Sequence, residues 1–429
     1  MGLIRAIQLA QRAPSRSLAN RAYSTSSARP FIITSTLFSP TPDFLASHLA
    51  SNPAPTDSLT LYTICTTLPS LPGLLPHLQR LPNSIGSFSH PRPVQAGQNQ
   101  PYISLAHFPR NGGSVFHTAL TGRRPVEVGR WHRPHPDGVG KEDLKGGEMG
   151  DLGDVRGAGL GGWGEAWEAD AGAADERVQG LEGVDAQTIL LLTDASPRPV
   201  LRALDAQFPH AVKAGLLTAP TPFITGRPHT LLLNDKIHNT GAVGLALPYK
   251  LDVGVEFGLE PMGEPMVVDR SQGNMLLSLV SHPNPAQILI SAIQKRGGAG
   301  LISKEEDFYL ALLNPASEGG GIREAVKIMG GDPGKGALSL EMEDSLVQGQ
   351  AVQFMQKSSL PTSLPLSPSR LSFGALARSD DPDSEDSDAA QRKPRVEEGF
   401  MGLSEAGFLY SVRGRSAMGT AGGGFAVLR

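Results

Sequence analysis

Thr188-Ile189-Leu190-Leu191-Leu192-Thr193 runs into Asp194-Ala195-Ser196-Pro197 and then Val200, Leu201, Leu204 and Phe208 before Pro209. Four successive apolar residues between threonines predict a strand covered on both faces. Ser196 is placed to cap a helix and Pro197 to open it, since proline loses nothing at a first helical position. The apolar residues that follow keep helical spacing, and Pro209 ends the run. The stretch therefore predicts a β-α unit, and the chain an α/β fold.

Working outward, Ser58 to Cys65 alternates and is β-branched, which predicts a strand. Leu71 to Leu81 is an apolar stretch broken by proline and predicts a short helix. Thr230 to Leu233, an Asn234-Asp235-Lys236 turn and Val243 to Leu247 predict a hairpin. Leu251 to Phe257 predicts a strand, and Pro265 to Arg270 with Asn274 to Val280 a hairpin about Ser271-Gln272-Gly273. Asn284 and Pro285 open a helix whose inner stripe is Ile288, Leu289, Ala292 and Ile293, ended by Gly297 and Gly298. Phe308 to Leu313, Val326 to Met329, Ala337 to Leu340 and Ala351 to Met355 predict four more strands, the last three as a meander. Ala406 to Val412 predicts a final one, followed by a glycine-rich tail. Residues of about 133–184, rich in glycine and acids, and the acidic stretch of about 358–399 predict disordered insertions. The expected fold class is α/β (α+β): two β-rich lobes with helices packed on mixed sheets, interrupted by those insertions.

Composition limits what such a fold can do. The chain has 429 residues, 38 Lys and Arg against 42 Asp and Glu, and a formal charge of −4. That sign gives no general attraction for a phosphate backbone, so no nucleic-acid partner is expected. The single cysteine, Cys65, excludes an internal disulfide and a cysteine-rich metal site. No run of 18 apolar residues occurs, so no transmembrane segment is expected. With 50 Gly and 35 Pro, about a fifth of the chain against a usual eighth or so, long loops must interrupt the core.

The N-terminus reads as an address. Arg5, Arg12, Arg16, Arg21 and Arg29 all precede the first acid, Asp43. Leu3, Ile4, Ile7 and Ala10 share one helical face, and Arg5, Gln8, Arg12 and Arg16 the opposite one. Acid-poor, Arg- and Ser-rich amphipathic starts are organelle transit peptides. Arg21-Ala22-Tyr23-Ser24 is similar to a mitochondrial processing site. The expectation is a transit peptide over 1–23, import into the mitochondrial matrix and cleavage near Tyr23. Loss of four Arg then takes the formal charge from −4 to −8.

Motifs with chemistry are few. Gly157-Ala158-Gly159-Leu160-Gly161-Gly162 follows no strand, so it lacks the setting of a dinucleotide loop. Gly330-Gly331-Asp332-Pro333-Gly334-Lys335-Gly336 has no Ser or Thr after its lysine and precedes a strand, so it reads as a tight turn. His132 and His135 lie in coil without a partner pair. His229 and His238 flank the expected hairpin and could face each other across it. Cys65 reads as a buried small hydrophobe. No G-x-S-x-G and no H-E-x-x-H occurs. No catalytic residue, metal ligand or cofactor is therefore expected. The candidate ligand-binding residues are the polar side chains of the apolar centre: Arg227, Asp269, Arg270 and Asn274. An arginine can hold a carboxylate with two parallel bonds and an asparagine offers donor and acceptor together, which suits an amino-acid-like ligand.

These segments also resemble a known family. Val243-Gly244-Leu245-Ala246-Leu247, Gly263-Glu264-Pro265-Met266-Val267-Val268, Gly273-Asn274-Met275-Leu276 and Pro285-Ala286 are similar to the centre of FIST-domain proteins. Gly330 to Pro333, Gly336-Ala337-Leu338 and Gly349 to Phe354 resemble the meander of the family's C-terminal module. Ala406 to Ser411 before Arg413-Gly414 is similar to a late strand, with Val412 where the family usually has cysteine. The resemblance spans roughly residues 32–420 and skips both insertions. It implies a FIST N-like module over 30–250, a FIST C-like module over 251–420 and a fungal-type mitochondrial member. The implied function is sensory or regulatory binding of a small polar ligand, with amino-acid-like ligands in view, in signal transduction and without catalysis. The alternatives are a non-enzymatic adaptor, docking a protein partner through Trp163 and Trp167 or the acidic loop around 380–388, and an enzyme whose residues converge only in space. N-terminal sequencing of the protein purified from mitochondria should start at Ser24; an intact Met1 would refute the transit peptide.

Overall fold

All six residues of Thr188–Thr193 are buried, as a strand covered on both faces requires. The computed structural model describes residues 32–95, 98–120, 177–295, 307–315, 321–334, 336–342, 345–358, 366–376, 393–412 and 414–429. All of these fall within one unit, Phe31–Arg429. Among them 47% lie in strands and 15% in helices, with sheets and a small barrel. The protein is thus richer in strand than the α/β reading expects, and that description holds only in part. Most strand pairings among the described residues are antiparallel, with parallel pairing confined to a few ladders.

The first segment contains β1 (Ile33–Phe38), α1 (Pro42–Ser51), β2 (Ser58–Cys65), α2 (Leu71–Gln79) and β3 (Ser84–Ser89). The short ribbon β4 (Arg92–Gln95) and β5 (Gln98–Gln100) precedes β6 (Tyr102–Pro109) and β7 (Ser114–Thr118). Then come β8 (Thr188–Thr193), α3 (Arg198–Gln207), β9 (Val212–Leu217) and the single turn α4 (Pro222–Thr225). The centre holds β10 (Leu231–Leu233), β11 (Lys236–His238), β12 (Ala242–Leu247), β13 (Val253–Glu256) and β14 (Leu259–Pro261). Next are β15 (Met266–Gln272), β16 (Met275–Leu279), α5 (Pro285–Lys295), β17 (Phe308–Leu313), β18 (Ile322–Asp332), β19 (Ala337–Leu340) and β20 (Ala351–Lys357). Last are β21 (Leu371–Ala375), β22 (Arg395–Glu398), β23 (Phe400–Ser404), β24 (Phe408–Val412), β25 (Arg415–Gly419) and β26 (Phe425–Leu428).

One sheet has the order β11-β10-β3-β2-β6-β1-β22. A four-stranded sheet has the order β13-β26-β21-β23. In the largest sheet, β15-β16-β19-β18 continues through β17 to β20 and back to β15, which closes a six-stranded antiparallel barrel. Val268, Leu276, Leu310, Leu312, Val326, Leu338, Val352 and Phe354 fill it, together with Ala286 and Leu289 from α5. Closure leaves these six strands no open edge. The same sheet runs on from β18 through β25, β24, β9, β8 and β12 to β7. Two β-α-β units are present: β2 and β3 pair in parallel across α2, and β8 and β9 across α3. Tyr62 faces Gly86 across the first pair. A Cβ on Gly86 would lie 2.0 Å from the Tyr62 ring, so only glycine leaves that ring its place.

Several expectations change. β10 pairs with β11, whereas Val243–Leu247 lies in β12 between β7 and β8. Lys236, expected in the turn, opens the strand Lys236–His238 instead, because Asn234, at φ 53°, turns the chain early. The second hairpin turns on Gly273 and Asn274, one step later than expected, with Gln272 facing Met275 and Gly273 at φ 55°. β20 leaves the meander to pair with β14, β15 and β17. α3 starts at Arg198 with no side-chain cap from Ser196; Asp194 Oδ1 instead accepts the Ser196 N–H at 2.9 Å. Asn284 does cap α5, accepting the Gln287 N–H at 2.8 Å. The expected disordered insertions are shorter at their described ends. Val178 and Leu181 are buried against α3 and β8 residues. Leu371–Ala375, inside the expected 358–399 insertion, is a fully buried strand, and Arg395–Glu398 pairs with β1. The glycine-rich tail forms β25 and β26. Each of these strands is short, so two or three apolar residues were too little periodicity to register.

β23 joins the two ends of the chain. One of its edges pairs in parallel with β21. Several of its other backbone groups meet side chains of the first sheet. Thr63 Oγ1 donates to Met401 O at 2.9 Å, Met401 N–H donates to Ser104 Oγ at 3.3 Å, and Leu403 N–H donates to Tyr102 Oη at 3.1 Å. Thr36 Oγ1 donates to Gly399 O at 2.8 Å beside them. All four side chains are buried, and a buried carbonyl left without its donor costs about 1–3 kcal/mol. Thr63→Val keeps the shape and removes one donor. It should lower unfolding free energy by about 1–3 kcal/mol, read as a reduced urea midpoint at unchanged m-value.

Candidate functional site

The structure splits the four sequence-predicted residues into two places. Arg227 follows α4, and its guanidinium donates to Asn239 Oδ1 beyond β11. Asp269, Arg270 and Asn274 share the β15–β16 hairpin. Ser278 Oγ donates to Asp269 Oδ2 at 2.8 Å and accepts from Arg270 Nε at 3.2 Å. Asn274 Nδ2 donates to Leu340 O at 2.8 Å, bracing β19. Trp163, Trp167, the acidic run 380–388, His132, His135 and residues 1–31 lie outside the described residues.

A groove of about 330 Å³ opens on the four-stranded sheet, lined by Asp252, Val253, Gly254, Val255, Glu256, Arg370, Phe425, Val427 and Arg429. Strand alternation makes it. On β13, Val253 and Val255 pack toward the core while Gly254 and Glu256 are exposed. Across the pair, Gly254 faces Val427 and Glu256 faces Phe425. Asp252 and Arg429 exchange backbone hydrogen bonds at 3.0 and 3.1 Å and stand opposite each other. Arg370 directly precedes Leu371, which faces Leu428 on the other side of β26. The floor is therefore Gly254 and Val427, with Arg370 and Arg429 toward one end and Glu256 at the other. Neither Arg370 nor Glu256 has an ion-pair partner among the described residues. A Cβ at Gly254 would meet nothing within 4 Å, so the floor is flat because this residue lacks a side chain.

Half of the pattern that forms this groove is legible in the sequence. Asp252-Val253-Gly254-Val255-Glu256 alternates with period 2 and sets the two acids and the glycine on one face. The other half lay in the tail, whose strand was not read.

The histidines are held structurally. His117 and His238 stack with ring centroids 3.6 Å apart, so His238 faces His117 and not His229. Burial lowers the His238 pKa, with the neighbouring His117 and Lys236 adding to the effect. His229 Nδ1 shares a hydrogen bond with Thr218 Oγ1 at 3.2 Å. Cys65 is fully buried, and burial pushes its thiol pKa up. Two ion pairs, one buried and one partly buried, tie α3 to its neighbours. Arg198 pairs with Glu324 of β18. Lys213, with no exposed side-chain surface, meets Asp205 at 2.9 Å and donates to Phe208 O at 2.6 Å. Among the described residues no group of three His, Cys, Asp or Glu gathers as a metal site, and no helix is long and apolar enough to cross a membrane. Gly330, Gly331 and Asp332, expected in a tight turn, end β18 instead, facing Ser339, Leu338 and Ala337 of β19, and Gly336 N–H donates to Asp332 O at 2.6 Å.

Compared with known proteins, residues 147–280 match the model of the FIST N domain family. That family is generally linked to sensory ligand binding. No curated protein and no solved structure matches the chain. The matched segment runs from before β8 through β16, so it contains Asp252, Gly254 and Glu256, while Arg370, Phe425, Val427 and Arg429 lie beyond it.

His107 reports on acid stability. It is 7% exposed, its Nδ1 shares a 2.9 Å hydrogen bond with Thr60 Oγ1, and burial pushes its pKa down to about 4, with His48 acting in the same direction. The folded state holds it neutral while the unfolded state protonates near pH 6.5. Stability is therefore complete above that value and falls as pH drops through this window toward 4. Urea midpoints should be lower at pH 5 than at pH 7, and the difference should shrink in His107→Gln.

Proposed function

We propose that this protein is a FIST-type sensory or regulatory protein that binds a small, polar, amino-acid-like ligand in the β13–β26 groove without catalysis. The observation that carries the reading is the opposition of charge across an apolar floor: Glu256 at one end, Arg370 beside the facing Asp252 and Arg429 toward the other, Gly254 and Val427 between. An ammonium group is matched by the carboxylate and a carboxylate by the guanidinium, which is able to form two parallel hydrogen bonds. The FIST N match supports the ligand-binding class. The two-module division at 250/251, with a FIST C-like second half, and residence in the mitochondrial matrix belong to the same proposal. They are supported by the ordered family-like segments and by the acid-poor N-terminus.

Thermal stabilisation tests it. A ligand at 100 times its Kd stabilises a folded protein by about 2.7 kcal/mol. At least one amino acid in a metabolite panel should raise the melting temperature of the full chain. Gly254→Leu should abolish the shift without loss of fold, because the groove side of Gly254 is open and its φ is not positive. Arg227→Gln and Arg270→Gln serve as comparison. Loss of the shift in these, with Gly254→Leu still responding, would move the ligand to Arg227, Asp269, Arg270 and Asn274. A folded protein that responds to nothing in the panel would overturn the reading.

A further inference from the structure

The groove is longer than a compact zwitterion. Asp252, directly before β13, and Glu256, at its end, are four residues apart, which spaces the two ends by about 13 Å along the strand. Arg370 lies at the Asp252 end, two strand positions away from β13 across β26. Two inter-strand spacings add about 10 Å sideways. An α-amino acid carries its two charges on one residue, and one residue spans at most about 3.5 Å. It meets both Glu256 and Arg370 only if their side chains, which stand roughly perpendicular to the sheet, lean far along the floor toward each other.

The charges also sort themselves. Asp252 stands directly opposite Arg429, as their reciprocal backbone hydrogen bonds require. Opposite charges so placed offset each other. Arg370 and Glu256 then remain as the unmatched cation and anion, on the diagonal. Between them lie Gly254 and Val427, which offer a narrow, flat and uncharged surface. A branched or charged middle section would lose its water there without gaining a partner.

We infer that the groove selects an extended linear zwitterion of about tripeptide length, its carboxylate at Arg370 and its ammonium at Glu256. The inference rests on the groove being the ligand site. A three-residue chain spans about 10 Å, and the reach of the two side chains covers the rest of the diagonal. The middle of the ligand lies over Gly254 and Val427.

Oligoglycines serve as a ruler, since they change length without adding side chains. Glycine, diglycine, triglycine and tetraglycine are titrated calorimetrically into the full chain, together with triglycine acetylated at its amine or amidated at its carboxylate. Triglycine should bind about tenfold or more tighter than glycine. Blocking its amine should remove the effect of Glu256→Gln, and blocking its carboxylate the effect of Arg370→Gln. Gly254→Leu should abolish all binding. Equal affinity for glycine and triglycine, both lost in Gly254→Leu, would overturn the length selection and leave the groove as the site. Binding that survives Gly254→Leu, or no binding by any oligoglycine or amino acid, would overturn the site and the length selection together.

Discussion

The fold depends on the satisfaction of one strand's backbone by side chains of distant sequence. β23 is buried along its whole length, and burial of an unpaired peptide group is expensive. β21 pairs one of its edges. Thr63, Ser104 and Tyr102 answer groups that no strand reaches. This accounts for three fully buried hydroxyls of the first sheet, those of Thr36, Thr63 and Ser104, which bond β23 or Gly399 just before it. In an ordinary apolar core they would be a liability; here several of them hold the C-terminal strand in register.

The buried charges serve the same purpose. Lys213 at the start of β9 is held by Asp205 of α3, whose carboxylate also accepts from the Ser416 N–H and hydroxyl of β25 at 2.8 and 2.7 Å. Arg198 opens α3 and pairs with Glu324 of β18. Pairs of this kind recover little more than their desolvation cost, yet removing one partner leaves an uncompensated buried charge. Their effect is to admit one relative placement of α3, β9, β18 and β25. Tyr410 sits in the same neighbourhood, donating its hydroxyl to Arg323 O at 2.7 Å.

The groove follows from this arrangement. The inner face of the four-stranded sheet is core, with Leu371, Phe373, Phe400, Ala426 and Leu428. On its other face, Met401 and Leu403 of β23 are covered by the first sheet. That cover does not hide Gly254 and Glu256 of β13, and the exposed outer face of the β13–β26 pair is the groove. A site of this origin belongs to no single motif, since its residues come from 252–256, 370 and 425–429.

Local reading was sufficient where one segment carries its own pattern. The strand at 188–193, the helix after it, the capped helix at Asn284, the strands at 308–313 and 337–340 and the burial of Cys65 are all set by residues within a few positions of each other. The charge balance and the single cysteine likewise bound the chemistry without any coordinates. Tertiary structure decided the rest. Val243–Leu247 is a strand in either pairing, but only packing sends it between β7 and β8 instead of back along β10. Leu371–Ala375 and Phe425–Leu428 are too short to announce themselves, and become strands because long-range partners bury them. The meeting of Glu256 with Arg370 follows from the pairing of three strands distant in sequence. Side-chain periodicity sets which face a residue takes, while strand order and register depend on buried area and satisfied polar groups summed over the whole chain, and no local window contains that sum.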